Sequence, residues 1–142
     1  MCDDGMGQGG ALPAFGFDDT EGDDPVVTAR LVSALVVEDN LVIAMDVRDA
    51  LLELGAKKVL LAGRVAEALE IVTRESLSFV LLDASLGNET SEEVAWACVR
   101  RGIQVILSSG YGADSGKMNG FPRLPLLEKP YGLDELRRAI ES

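Results

Sequence analysis

Polar side chains able to do chemistry follow four apolar runs of this sequence. They are the acidic pair Glu38–Asp39 after ALVV, Asp83 after FVLL, the hydroxyl pair Ser108–Ser109 after QVIL, and Lys129 after LPLLE. Two adjacent carboxylates repel each other and resist burial, so they either begin a solvated loop or surround a cation. Mg²⁺ binds carboxylates together with waters and phosphate oxygens, a lysine can neutralise further phosphoryl charge, and a carboxylate can attack phosphorus. These residue types therefore favour magnesium-dependent phosphoryl chemistry, if the fold brings them together.

The composition excludes several other kinds of site. The chain has no histidine, which removes Ser-His-Asp and Cys-His catalysis, histidine-ligated zinc and a phosphohistidine on this chain. A net charge of -11 argues against binding nucleic acid through its phosphates. No apolar run reaches the roughly 18 residues of a membrane span, and no signal peptide is recognisable, so we expect a cytoplasmic protein. Cys2 and Cys98 do not suggest a disulfide framework, and Cys98 is expected in the core.

Short apolar runs alternate with helical patterns from Leu31 onward. Strands are predicted at residues 31–37, 58–62, 79–83, 104–109 and 124–129, and helices at 40–54, 65–72, 90–101 and 133–140. The third helix is predicted to begin with a capping box formed by Thr90 and Glu93. The alternation predicts an α/β fold, a five-stranded doubly wound parallel sheet with helices on both faces. Residues 110–123 contain four glycines and a proline, so a weak or short fourth helix of one or two turns is expected there.

The first 30 residues differ in composition from the rest. They contain six glycines and seven acidic residues against one basic residue, which gives -6 of the total charge. Such a segment cannot bury enough apolar surface to offset the entropy lost on ordering. We expect an acidic, glycine-rich disordered tail at residues 1–30 and one folded domain at residues 31–142.

The predicted sheet brings the polar residues together. In a parallel sheet all strands end at the same edge, where such folds bind their ligands. Taken alone, Asp83 could cap a helix, either serine could belong to a turn, and Lys129 could be a surface lysine. Since Glu38, Asp39, Asp83, Ser109 and Lys129 all meet at one edge, a magnesium and phosphoryl site is the better interpretation.

Four short motifs resemble the receiver domain of two-component response regulators. They are VVEDN, LLDASLG, SSGYG and EKP, in this order, and the resemblance covers residues 33–141. It implies a receiver or flavodoxin-like fold in which Asp83 is the phosphoacceptor. Ser109 is then the switch hydroxyl that binds the phosphoryl group, and Lys129 pairs with a phosphoryl oxygen.

The same resemblance implies how Mg²⁺ is held. Asp39 is the direct metal ligand, Glu38 acts mainly through water, and Asp83 and the backbone carbonyl of Ser85 complete the protein ligands. The peptide bond between Lys129 and Pro130 is expected to be cis.

The sequence departs from the usual receiver pattern at several positions. Gly87 replaces a proline, which is expected to loosen the loop, and Ser109 replaces a threonine but keeps the hydroxyl. Leu126 replaces the usual aromatic residue of the fifth strand. Instead Tyr111 follows Gly110, which resembles a receiver subgroup whose fourth strand reads Phe-Ala-Thr-Gly-Tyr and whose partners are often kinases of the HWE class in stress signalling. Gly110 and Tyr111 are therefore the predicted switch residues, although Tyr111 could equally be a surface aromatic.

The leading hypothesis is a signalling switch in a phosphorelay rather than an enzyme. A histidine kinase or histidine phosphotransfer protein would donate the phosphoryl group, and a downstream protein partner would read the result, with no nucleic acid or membrane involved. We expect either a stand-alone receiver or one cut from a hybrid kinase. A phosphatase of the haloacid-dehalogenase type is an alternative, but it requires D-x-D where this chain has Glu38-Asp39-Asn40. A receiver-like adaptor that is never phosphorylated is another.

Overall fold

The computed structural model of the chain describes residues 31–110 and 120–141, in which strands and helices alternate. In chain order its elements are β1 (Ser33–Val37), α1 (Leu41–Glu53), β2 (Lys58–Ala62), α2 (Val65–Arg74), β3 (Phe79–Asp83), β4 (Ser85–Leu86), β5 (Glu89–Thr90), α3 (Glu92–Arg100), β6 (Gln104–Ser109), β7 (Leu126–Glu128) and α4 (Leu133–Glu141). Five strands form a parallel sheet in the order β2-β1-β3-β6-β7. The predicted doubly wound sheet is confirmed.

Two apolar cores, one on each face of the sheet, hold the helices in place. Along β1, Ala34 and Val36 contribute to the core that contains α1 and α4, whereas Leu35 and Val37 contribute to the core with α2 and α3. All five residues of β3 are buried, as expected of the central strand of a sheet that is covered on both faces. Cys98 lies in the second core with no exposed surface, and burial raises the pKa of its thiol to about 12.

The first helix is capped by Asn40, the residue before its first turn. The side chain of Asn40 accepts a hydrogen bond from the backbone N–H of Ile43, which satisfies one of the free donors of the first turn. The buried stripe runs through Ala44, Val47 and Leu51, whereas Ile43 is 38% exposed. Successive residues of a helix lie about 100° apart, so when Ala44 faces the sheet its neighbour Ile43 lies at the exposed side of the helix.

The capping box predicted for the third helix is wrong. Thr90 belongs to β5 and pairs with Ser85 of β4, so its backbone is extended and cannot cap the helix. Ser91 stands at the N-cap position instead, and its hydroxyl donates a hydrogen bond to the carbonyl of Asp83 rather than capping the helix. The fifth strand of the sheet, β7, is also shorter than predicted, since Pro125 has no N–H with which to extend the ladder.

Two predictions concern residues that lie outside the described part of the chain. These are the disordered tail at residues 1–30 and the short fourth helix, most of which would fall within residues 111–119. Within the described ranges, none of the helices has the length and apolar character needed to cross a bilayer.

Candidate functional site

Three carboxylates meet at the carboxyl edge of the sheet, as the strand order predicts. Glu38 and Asp39 follow β1, and Asp83 is the last residue of the neighbouring strand β3. One oxygen atom from each lies within 4.8 Å of the other two. Glu38 and Asp83 are buried, whereas Asp39 is exposed at the mouth of the cluster. We call these three residues the acidic cluster.

Each carboxylate oxygen of Glu38 has a donor. Oε2 accepts a hydrogen bond of 3.2 Å from the backbone N–H of Asn40, and Oε1 accepts one of 3.0 Å from Nζ of Lys129. Burial raises the pKa of Glu38 and outweighs the two hydrogen bonds that lower it. Glu38 is therefore held in place, but its negative charge is poorly tolerated at this depth.

Asp83 is fixed by donors on both sides of its carboxylate. Oδ1 accepts a hydrogen bond of 3.1 Å from the backbone N–H of Ser85, and Oδ2 lies 2.8 Å from Nζ of Lys129. The residue is 6% exposed. A carboxylate held in one orientation at a strand end is suited to attack a group that enters from the open side.

Lys129 connects the end of β7 to the acidic cluster. Its backbone N–H donates a hydrogen bond of 2.9 Å to the carbonyl of Ser109, and its ammonium bridges Glu38 and Asp83. Burial alone would lower the pKa of Lys129, but the hydrogen bonds to the two carboxylates raise it above its usual value. The Lys129–Pro130 peptide bond is cis, as the resemblance implied.

The hydroxyl residues of β6 reach the same edge. Ser108 lies opposite Asp83 in the parallel ladder between β3 and β6, and Ser109 lies opposite Glu128 of β7. Both serines are less than 5% exposed. Ser109 therefore follows Ser108 at the end of β6, the strand that lies between β3, which carries Asp83, and β7, which precedes Lys129.

The predicted switch residues fall at the limit of the described chain. Gly110 is exposed, and a methyl group in place of its hydrogen would meet no described atom within 4 Å. Tyr111 lies outside the described residues.

A small hairpin beside the acidic cluster was not predicted. β4 and β5 pair antiparallel through the two-residue loop Gly87–Asn88, and Gly87 has a φ of 61°. Proline cannot adopt this φ, so glycine allows the hairpin to form rather than merely loosening the loop. The sequence held a signal for it, because Gly-Asn between two short runs favours a two-residue hairpin.

The hairpin closes one side of a cavity of about 260 Å³ next to Asp39. The opposite wall is formed by Gly63 and Arg64, which follow β2. Oε1 of Glu89 accepts a hydrogen bond of 3.1 Å from the first residue of α2, Val65, and so ties the hairpin to that helix. The acidic cluster is therefore open on the side of Asp39, and Glu89 anchors the wall there.

Trp96 connects α3 to a neighbouring loop. The indole ring is 42% exposed, and its N–H donates a hydrogen bond of 2.8 Å to the carbonyl of Gly120. This bond joins α3 to the chain that leads into β7. No sequence pattern predicts a contact of this kind.

Solved structures of other proteins share this fold, although two other comparisons found no match. No family model and no curated protein matches the chain. Among solved structures, SdrG from Sphingomonas melonis Fr1 is 32% identical, with 79% of this chain and 95% of SdrG covered and a TM-score of 0.64. The chain belongs to the family of response regulator receiver domains.

Two further receivers show the same fold at lower identity. A response regulator receiver protein from Sinorhizobium medicae is 23% identical, with 78% of this chain and 91% of that protein covered and a TM-score of 0.68. The receiver domain of a sensor histidine kinase from Pseudomonas aeruginosa is 22% identical, with 78% and 98% covered and a TM-score of 0.66. The latter structure contains a magnesium ion coordinated in its active-site cleft. The fold of our receiver and the convergence of its acidic cluster at one edge were both predicted from the sequence.

Proposed function

We propose that this receiver accepts a phosphoryl group on Asp83 in a two-component phosphorelay. The observation that supports it best is the bridge from Lys129 to Glu38 and Asp83, at 3.0 and 2.8 Å. A half-buried lysine that holds two buried carboxylates beside an exposed third one is costly as a purely structural device. As a phosphoryl site it is useful, because every member has a role in the transfer.

The charge of the cluster fits a divalent cation. Three carboxylates and one ammonium sum to -2 when all are ionised, and the ligand atoms are hard oxygens within 4.8 Å of one another. Glu38, Asp39, Asp83 and the backbone carbonyl of Ser85 would hold Mg²⁺. When bound, Mg²⁺ neutralises charge on the phosphoryl oxygens. The magnesium seen in the cleft of the Pseudomonas receiver supports this assignment.

The transfer itself requires little from the protein beyond placement and charge. A carboxylate oxygen of Asp83 forms a bond to phosphorus while the P–N bond of a phosphohistidine breaks, and the electron pair of that bond stays on the imidazole nitrogen. The ammonium of Lys129 exchanges part of its contact with the carboxylates for an ion pair with a phosphoryl oxygen. The hydroxyl of Ser109 donates a hydrogen bond to another one, which is stronger because its acceptor is charged.

The proposed partners follow from this reaction. The donor is a histidine kinase or a histidine phosphotransfer protein, since the chain has no histidine of its own. A downstream protein reads the phosphorylated state, and Gly110 and Tyr111 are the proposed switch residues. The chain is a switch that promotes phosphorylation and dephosphorylation of its own aspartate, in the cytoplasm, and not an enzyme with a separate substrate.

Mass spectrometry after incubation with acetyl phosphate tests the proposal. With Mg²⁺ present the protein should gain the mass of one phosphoryl group, and with a chelator it should gain none. Asp83→Asn should abolish the gain, because an amide is nearly isosteric but does not attack phosphorus. Asp49→Asn is the matched control, since Asp49 is an exposed residue of α1 that pairs with Arg48. A gain that survives in Asp83→Asn would place the acceptor elsewhere, and no gain in the unaltered protein would favour an adaptor.

A further inference from the structure

The hydroxyl of Ser91 makes a buried contact with the main chain of Asp83. Ser91 has no exposed surface, and its Oγ donates a hydrogen bond of 2.6 Å to the carbonyl oxygen of Asp83. Although Ser91 stands at the N-cap of α3, its side chain makes no capping hydrogen bond. An N-cap serine normally contributes to helix stability through such a bond, so this hydroxyl serves Asp83 instead of the helix.

The contact completes a clamp on the peptide group that follows the phosphoacceptor. The C=O of Asp83 and the N–H of Ala84 belong to one rigid peptide unit. Ser91 holds its carbonyl end, and its N–H end donates a hydrogen bond of 2.9 Å to the carbonyl of Ser108. The peptide plane cannot rotate without breaking one of these two bonds.

The orientation of this peptide unit affects the carboxylate of Asp83 through Ser85. The backbone N–H of Ser85 donates a hydrogen bond to Oδ1 of Asp83 at 3.1 Å. This N–H belongs to the next peptide unit, whose carbonyl, that of Ala84, accepts a hydrogen bond of 3.4 Å from the backbone N–H of Ser91. The two units are joined at Ala84, so a rotation of the first displaces the second, and the carboxylate then loses the donor that fixes its orientation. The other donor, Lys129, is a long and flexible side chain that follows the carboxylate rather than directing it.

We propose that Ser91 is a positioning residue that orients the carboxylate of Asp83 for phosphoryl transfer, an inference that rests on the proposed function. With acetyl phosphate as donor, an Asp83 oxygen forms a bond to phosphorus, the bond from phosphorus to the acetyl oxygen breaks, and acetate leaves with the electron pair and needs no proton. This attack depends on the alignment of the oxygen, and a misplacement of about 1 Å can cost roughly 100-fold in rate.

The experiment compares phosphorylation rates of four proteins at saturating Mg²⁺ and over a range of acetyl phosphate concentrations. Ser91→Ala removes the hydroxyl, and Ser91→Thr keeps it while adding a methyl group. Ser78→Ala is the matched control, because the hydroxyl of Ser78 also donates to a strand carbonyl, that of Ser33 at 3.0 Å, but at the opposite edge of the sheet. Chemical unfolding of each variant gives its folded fraction under the assay conditions.

A positioning role predicts the order of the rates. Ser91→Ala should fall roughly tenfold with the donor dependence unchanged, Ser91→Thr should retain more activity than Ser91→Ala, and Ser78→Ala should match the unaltered protein. If packing alone mattered, the larger threonine would be worse than alanine in this buried position, and that order would overturn the inference. An unchanged rate in Ser91→Ala, or an equal fall in Ser78→Ala, would overturn it as well.

Two further outcomes have defined meanings. If Ser91→Ala does not fold, Ser91→Cys keeps the shape of the side chain with a larger sulfur atom and a weak donor, and its rate should fall in the same direction. A normal rate for the cysteine variant would then contradict the inference. If the unaltered protein gains no phosphoryl group at all, the proposed function fails, which is distinct from an active protein that is indifferent to Ser91.

Discussion

Lys129 is expected to keep the acidic cluster folded when no metal is bound. Its ammonium is the partner of two buried carboxylates, at 3.0 Å from Glu38 and 2.8 Å from Asp83. Lys129→Met preserves most of the side-chain length and apolar stem but removes the charge. The carboxylates then remain buried without their cation, which is the costly way to break a buried ion pair.

The expected loss is largest at neutral pH. A buried carboxylate without its cation can take up a proton instead of staying charged. Protonation costs about 1.36 kcal/mol for each pH unit above the unfolded pKa, and this cost lowers the stability of the variant. With an unfolded pKa of 4.5 for Glu38, the cost of protonating the buried carboxylate is about 3.4 kcal/mol at pH 7 and about 0.7 kcal/mol at pH 5. Because Lys129 is 25% exposed, water offsets part of the loss, and we expect about 2–3 kcal/mol at pH 7.

The sign follows from the direction of the pKa shift. Burial already raises the pKa of Glu38 in the folded protein, and removal of Lys129 takes away a hydrogen bond that lowers it. Stability linked to a raised carboxylate pKa is fully present below the unfolded value of 4.5 and is lost as the pH rises through the folded value. The variant should therefore approach the unaltered protein in stability as the pH falls from 7 to 5.

Urea unfolding in EDTA at several pH values measures this difference. Lys58→Met is the matched control, because Lys58 pairs with Glu75 at 2.9 Å on the surface. Its loss should be small and should not change between pH 5 and 7, since the pKa of Glu75 is lowered by that hydrogen bond. A loss in Lys129→Met that is independent of pH, or greater at pH 5 than at pH 7, would refute the electrostatic account.

Two further substitutions test the surroundings of the cluster. Mg²⁺ at about 100 times its dissociation constant should stabilise the protein by about 2.7 kcal/mol, and Asp39→Ala should lose most of that gain in thermal melts; equal gains in both proteins would remove Asp39 from the metal shell. Gly87→Ala should cost about 1–2 kcal/mol in urea unfolding, because Gly87 has a φ of 61°. Gly63→Ala should cost less, since an added Cβ there meets only ordinary contacts at 3.7 Å or more, and a reversed order would contradict the strain argument.

The central strands of the main sheet could be predicted because they are buried on both faces. β3 and β6 have the predicted bounds, because each is an apolar run that ends at polar residues. β2 also has the predicted bounds, although it is an edge strand in which only Ala62 is buried. That Glu38, Asp83 and Lys129 meet could be predicted because parallel strands all end at the same edge of the sheet, and no distances were needed. The residue types at the ends of buried strands were sufficient for that part of the site.

The hairpin and its contacts could not be predicted by the same reasoning. Strands of two residues have no periodicity, so nothing in the sequence pattern marked β4 and β5, and Thr90 of β5 was assigned to the start of the third helix. The capping box failed for this reason, because Thr90 is held by Ser85 across the hairpin. The hydrogen bond from Ser91 to Asp83 depends on the chain returning through the hairpin, and only the folded structure reveals it.

The charges of the cluster also explain why metal and phosphoryl group should bind together. Phosphorylation replaces the single charge of Asp83 by about -1.5 to -2, as for other phosphorylated side chains. With Glu38 and Asp39 ionised and Lys129 as the one ammonium, the metal-free phosphorylated site would be more negative than the -2 of the unphosphorylated cluster. A divalent cation would reduce that charge to about -0.5 to -1. Since burial already disfavours the charge on Glu38, loss of the metal should destabilise the phosphorylated state more than the unphosphorylated one.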